Sequence, residues 1–281
     1  PQVVYHAAAY KHVPMMEGHL FEAVENNIFG TRNILRTAEA WGARDFVMIS
    51  SDKAVRPTNV MGATKRIAEL VCQARGQRGA ERVPHIKTVS VRFGNVLGSN
   101  GSVVPRFREQ IERGGPVTVT HPDIQRYFMS IPEAAQLVLQ AGLMGQGDEI
   151  FVLDMGEPVR IMDLAHNMIR LSGMEPGRDI QVEVTGVRPG EKLHETLFYS
   201  DEDYRSTAHP KILEAGVRTF SRDLVLGNVP RLREAIASYD TASIQEILFA
   251  TMPEFSPIAQ DAYISSAKVL PFPAREANRY Q

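Results

Sequence analysis

Cysteine is nearly missing from this chain: Cys72 is the one thiol in 281 residues. A lone thiol closes no internal disulfide, which suits a reducing compartment. An excess of either charge is missing too. Lys and Arg number 31 against 33 Asp and Glu, for a formal net charge of -2, so the sequence carries no electrostatic footprint for nucleic acid. No apolar run approaches the roughly 20 residues that span a bilayer, and the start carries no signal-peptide pattern. The eight histidines are dispersed without ligand-like spacing, which argues against a metal site. His6 and His12 are read instead as local hydrogen-bonding groups or cleft lining. What remains is ordinary globular composition, 43% hydrophobic and 23% charged, with length enough for one large or two modest domains.

Short apolar runs, often β-branched, read as strands at Val3–Ala8, Phe46–Ser50, Thr88–Phe93, Glu149–Leu153 and Ile180–Val184. Between them lie helix-like stretches near Leu20–Glu39, Val60–Gln77, Val103–Arg113, Pro132–Leu143 and Ile161–Leu171. Ile28, Ile34, Leu35 and Ala38 are taken as one apolar stripe. Alternation of this kind predicts an α/β fold, a Rossmann-like doubly wound parallel sheet with helices on it. Pro132 suits a first helical turn capped by Ser130. The Arg66 and Glu69 pair is read as a contact on a helix surface.

The character changes near residue 175, where turn-rich segments such as Arg188-Pro189-Gly190 begin. The expected division is a nucleotide-binding domain over 1–175 with a lobe insert after Phe93, a substrate lobe over 176–251, and an extended or disordered tail over 252–281. Pro1 to Ala9 reads as a buried strand from its first residues. This raises the expectation of a fragment whose first strands lie upstream.

In a parallel α/β sheet, ligands sit beyond the carboxyl ends of the strands. Three polar loops follow strand ends here: His6-Ala7-Ala8-Ala9, Ser50-Ser51-Asp52-Lys53 and Gly94-Asn95-Val96-Leu97-Gly98. Together they predict a shared cleft. Met61 and Lys65, four apart on a helix, share one face, and a lysine aimed at the cleft could hold a ribose hydroxyl. Asp52 and Lys53 set an acid beside a base. For a hexose oxidised at C4, a lysine of depressed pKa could take the acidified C5 proton while a protonated carboxyl helps the C6 hydroxyl leave as water. The plainer readings are a loop ion pair, a solvated lysine and a core methionine. Tyr127 and Phe128 could flank a base ring or pack in the core.

The segments Y-H-A-A-A-Y-K-H-V-P, N-N-I-F-G-T, S-S-D-K-A-V-R-P-T-N-V-M-G-A-T-K-R and V-R-F-G-N-V-L-G-S-N-G-S-V-V-P resemble the extended short-chain dehydrogenase/reductases. Within these, the chain is similar to CapD-like nucleotide-sugar 4,6-dehydratases of bacterial polysaccharide biosynthesis, over residues 1 to roughly 250. The resemblance implies UDP-N-acetylglucosamine as substrate, a tightly bound and recycled NAD or NADP, and a 4-keto-6-deoxy product. It implies a homo-oligomer, built through the helices of Leu20–Glu39 and Val60–Gln77. It also implies a cytoplasmic site, with a parent anchored at the inner membrane.

By the same resemblance, Ser51 bonds the reacting sugar oxygen, Asp52 is the acid at C6, Lys53 the base at C5, and Lys65 grips the nicotinamide ribose. Ala7, Ala8 and Asn27 would line the cofactor; Asn95, Arg126, Arg188 and Glu191 would hold the nucleotide sugar. Met61 stands where most of the superfamily has a proton-accepting tyrosine, and marks the subgroup. The family's glycine-rich fingerprint is expected upstream of residue 1. Competing readings are a 4-epimerase or reductase on a similar sugar, against which Asp52-Lys53 speaks, and a catalytically silent nucleotide-binding fragment.

Overall fold

Strands β1 (Val3–His6), β2 (Asp45–Ile49), β3 (Lys87–Arg92), β4 (Asn95–Val96), β5 (Val117–Val119) and β6 (Gln125–Arg126) form the first half of the chain's pairings. β7 (Phe128–Met129), β8 (Glu149–Leu153), β9 (Val159–Arg160), β10 (Val182–Val184), β11 (Tyr204–Ser206) and β12 (Ile212–Ala215) form the rest. The helices are α1 (Val13–Gly18), α2 (Leu20–Val24), α3 (Thr31–Ala40), α4 (Val60–Gly76) and α5 (Val103–Glu112), then α6 (Ile131–Met144), α7 (Ile161–Leu171), α8 (Arg222–Ala237) and α9 (Thr241–Thr251). This computed structural model describes residues 1–76, 86–200, 203–216 and 218–257.

The main sheet runs β1-β2-β3-β8-β12-β11. Its first four strands are parallel, and β12 and β11 add antiparallel. Strands buried on both faces read as continuous apolar runs, which is why β2 and β8 were visible in the sequence, while β3 showed as Val89 and Val91 among β-branched and small polar residues. On one face, Leu137, Val138 and Ala141 of α6 pack on Val47, Val89 and Ile150. On the other, Leu35 of α3 and Ala68 and Cys72 of α4 pack on Phe46 and Met48. The doubly wound α/β fold is therefore as expected.

A smaller lobe has its own core of Phe107, Ile111, Val117, Val119, Ile161, Ile169 and Ile180. It joins α5 and α7 to the β5–β10 ladder. The lobe thus takes α7 from within 1–175, while β11 and β12, from within 176–251, complete the main sheet. Polar Tyr204-Arg205-Ser206 is exposed throughout, so it carried little strand signal.

The expected Leu20–Glu39 helix is divided by a π-helical stretch at Glu25–Gly30. Ile34 lies 45% exposed while Ile28, Leu35 and Ala38 are buried; six helical residues turn about 600°, which puts Ile34 off the stripe. Ser130 caps α6 by accepting from the Glu133 N–H at 3.3 Å. The outer face of α4 is covered from within the same chain: Ala63, Ile67, Leu70 and Val71 meet Val225, Val229 and Leu232 of α8 and Ile244, Ile247 and Leu248 of α9. Met252 and Phe255 are buried in the same cluster, so the expected loose tail begins packed; residues 258–281 lie outside the described residues.

Candidate active site

The parallel strands β2 and β3 end side by side, and the chain leaving β2 must turn at once. Ser51 starts that turn, its Oγ accepting from the Lys53 N–H at 3.2 Å, and residues Asp52–Ala54 form one turn of 3-10 helix. The Asp52 N–H donates to the Phe93 carbonyl at 3.0 Å, tying the turn to the end of β3. Helix α4 starts against the same turn. Asn59 Oδ1 accepts from the Gly62 N–H at 2.7 Å and Glu17 Oε1 from the Val60 N–H at 2.6 Å, a two-carbonyl cap for its first turn. Gly62 permits the approach, because a Cβ there would lie 2.2 Å from the Lys53 carbonyl oxygen. Gly94 does the same across the sheet end, where a Cβ would meet Tyr127 Cβ at 2.9 Å and Asp52 Oδ2 at 3.2 Å.

These elements enclose a cleft of about 380 Å³, lined by Ala7, Ser51, Lys53, Met61, Lys65 and Asn95 among others. Asn95 also lines a second hollow of about 150 Å³, with Arg126, Arg188 and Glu191. The two hollows adjoin, sharing Asn95, Gly101 and Ser102 in their walls. The sequence-derived residues therefore gather along one groove between the sheet ends and the smaller lobe. Two do not line it. Ala8 is exposed and Ala9 takes its place in the wall. Asn27 is wholly buried; its side chain accepts from the Tyr10 N–H at 2.8 Å and donates to the Tyr10 carbonyl and Thr64 Oγ1, each at 3.0 Å. The π-helical stretch turns this amide inward, so Asn27 fastens the loop after β1 onto α4 from behind the cleft.

Lys53 Nζ lies 3.0 Å from Asp52 Oδ1, 3.5 Å from Glu195 Oε1 and 3.4 Å from Asn95 Oδ1. Ser51 Oγ donates to Asp52 Oδ1 at 2.9 Å, while Asp52 Oδ2 is buried without a hydrogen-bond partner. Burial pulls the Lys53 pKa down, but Asp52 and Glu195 outweigh it and hold the amine above the ordinary lysine value. The depressed lysine assumed from sequence is thus a different one. Lys65, buried and donating to the Ile49 carbonyl at 2.8 Å, is lowered to about 8 by burial, against the opposing charge of Glu69. His6 is buried on Thr31 Oγ1 at 2.9 Å and is lowered to about 4 by burial and by Lys65. Met61 is both wall and core: 2% exposed, it packs with Met16 and Ala23.

Arg66 and Glu69 are not on a surface. Glu69 is fully buried and takes both nitrogens of the Arg92 fork at 2.8 Å, Arg66 at 2.9 Å and the Ser50 hydroxyl at 2.5 Å. Arg92 in the strand Lys87–Arg92 was the available signal, since a charge at the end of a buried apolar strand requires a buried partner. Tyr127 is a core residue, and Phe128 is half-buried against the lobe core. Glu195 was missed as well: it lies in the turn-rich segment after Arg188, where no periodicity marks the inward side.

With this geometry in place, comparison with known proteins is decisive. Residues 1–216 match the family described as polysaccharide biosynthesis protein. The chain belongs to that family. It is 58% identical over 212 residues to the probable polysaccharide biosynthesis protein EpsC of Bacillus subtilis, covering 75% of this chain and 34% of that one. It is 57% identical over 217 residues to the capsular polysaccharide biosynthesis protein CapD of Staphylococcus aureus, covering 77% and 35%. The chain spans about a third of the length of these two relatives. More distant relatives differ in named reaction. A UDP-glucose 4-epimerase of Rickettsia bellii is 35% identical (71% of this chain, 56% of that one), and a UDP-N-acetylglucosamine 4,6-dehydratase (inverting) of Campylobacter jejuni is 32% identical (72% and 57%). Among solved structures, Pen from Bacillus thuringiensis superposes with a TM-score of 0.69 at 36% identity, over 76% of this chain and 66% of that one.

Proposed function

We propose that this chain carries the catalytic groups of an NAD(P)-dependent UDP-N-acetylglucosamine 4,6-dehydratase acting in polysaccharide biosynthesis. The observation that carries the reading is the Asp52–Lys53 pair at the carboxyl end of β2, with Lys53 facing the cleft. A 4-epimerase needs hydride transfer at C4 alone; elimination across C5 and C6 needs an acid and a base side by side.

The ion pair is one internal proton transfer from that acid and base. Moving a proton from Lys53 Nζ to Asp52 Oδ1, across 3.0 Å, leaves a neutral amine and a carboxylic acid without exchange with solvent. The amine takes the C5 proton, and the acid protonates the departing C6 hydroxyl, which leaves as water. The pair is then again ammonium and carboxylate. Lys53 returns its proton to C5 and is recharged by one proton from solvent, which balances the proton that left when the C4 hydroxyl was oxidised at the start of the turnover. Ser51, already bonded to Asp52 at 2.9 Å, is the relay for that proton, which Met61 cannot accept.

The cleft suits a dinucleotide. It lies at the carboxyl ends of parallel strands, the small residues Ala7 and Ala9 line one wall, and the Lys65 ammonium reaches another. NAD(P), when bound, supplies the hydride acceptor and donor. Arg126 and Arg188 in the adjoining hollow suit a diphosphate. Incubation of the full-length protein with UDP-N-acetylglucosamine in deuterated water, followed by NMR, tests the reading. The expected product has a C4 ketone, a C6 methyl and deuterium at C5. Return of the C4 epimer alone would sink it.

A further inference from the structure

Glu195 belongs to none of the roles above, yet it is 4% exposed and approaches Lys53 from the smaller-lobe side of the groove. Its Oε1 lies 3.5 Å from Lys53 Nζ, and its Oε2 is buried without a hydrogen-bond partner, with Lys192 Nζ 3.7 Å away. Lys192 itself is anchored on the Val55 carbonyl at 2.9 Å. A buried carboxylate left half-unsatisfied is costly unless something compensates it, and here the Lys53 ammonium does so first, with Lys192 and Arg126 behind it.

We propose that Glu195 is a positioning residue for Lys53. It holds the amine over the cleft independently of Asp52 and stabilises the ammonium that forms when the C5 proton is taken. The inference rests on the dehydratase reading. Asp52 has to release Lys53 to act on the C6 oxygen; without a second carboxylate, the freed amine would keep only its 3.4 Å contact with Asn95 Oδ1. An acid that orients a base and stabilises its charged form is the third member of a general-base arrangement. Glu195 also sits seven residues after Arg188 and four after Glu191, the groups lining the adjoining hollow. One loop therefore both meets the diphosphate and aims the base. The charged groups facing Lys53 are Asp52 on its own turn, Glu195 and Lys192 on this loop, and Arg126 of β6.

Two variants of the full-length protein bracket the role. Competitive acetylation with acetic anhydride across pH, read at the Lys53 peptide by mass spectrometry, follows that amine whether or not the enzyme turns over. In Glu195→Gln the half-reaction pH of Lys53 should fall by about one unit or more, as expected on removing an opposite charge at this range. In Lys192→Met, which unmasks Glu195, it should rise, so the test survives failure of one variant to fold. The alkaline limb of kcat should move with each, and Glu195→Asp should restore it. Unmoved Lys53 titration in both variants, or a moved titration with a fixed kcat limb, would overturn the proposal. Wild type that makes no 4-keto product would sink the dehydratase reading instead, while the acetylation result still decides whether Glu195 holds Lys53.

Discussion

Two clusters of buried charge meet one loop, at Ser50 and at Asp52–Lys53, and they are built differently. At Ser50, the Glu69 carboxylate is closed: Arg92 grips it with two nitrogens, Arg66 and the Ser50 hydroxyl fill its remaining positions, and of these residues Ser50 alone lines the cleft. At Asp52 and Lys53, two carboxylates share one ammonium, Asp52 Oδ2 and Glu195 Oε2 have no hydrogen-bond partner, and Lys53 opens onto the groove. Saturated charge holds a structure in one state. Unsaturated charge has bonding capacity left for something that arrives. The first cluster is the mount, and the second is the instrument.

Substitutions in each cluster should therefore break different things. The largest effect is on turnover: Asp52→Asn, which leaves Lys53 paired with Glu195, should lower kcat by roughly 10²- to 10⁴-fold, with the melting temperature nearly unchanged in the same preparations. Loss of several degrees alongside would place this pair with the mount. Next, Arg92→Met leaves Glu69 with half its partners gone, and should cost about 3–5 kcal/mol in chemical denaturation. Acid should do the same work. Arg92 and Arg66, with the Ser50 hydroxyl, outweigh burial and hold Glu69 down to about 2. Its stabilisation is present above the unfolded value near 4.5 and drains away as pH falls through about 2, so the acid-unfolding midpoint of Arg92→Met should move to higher pH.

A smaller effect separates cost from use in the cleft. Lys65 is held at about 8, well below its ordinary 10.5, so the unfolded chain binds more protons between those values and stability rises with pH across that window. Lys65→Met should raise the melting temperature at pH 7, a gain that shrinks above pH 8, and should weaken NAD(P) binding measured by fluorescence titration. The smallest is a calibration away from both clusters: Ser130→Ala should cost about 1 kcal/mol through the α6 cap and leave kcat alone.

The sheet was legible because β2 and β8 are short apolar runs, and Ser51, Asp52, Lys53, Met61 and Lys65 because they crowd one strand end. What escaped depended on where chain segments far apart in sequence meet. Arg66 and Glu69 sit at the i, i+3 spacing of an ordinary surface pair; only the arrival of Arg92 and the cover of α8 and α9 make that site interior. Exposed β11 carried no apolar alternation. Lys53 looked like a candidate for a lowered pKa because its sequence neighbours show one carboxylate, whereas the fold brings a second from Glu195.

The cover over α4 has a bearing on where this protein can be divided. The family match ends at residue 216, just before α8. A boundary drawn there would strip Ala63, Ile67, Leu70 and Val71 of the apolar side chains that shield them, and α4 carries Met61 and Lys65. A chain ended at 216 should bind hydrophobic dyes and pellet on expression, while one ended at 257 should stay in solution.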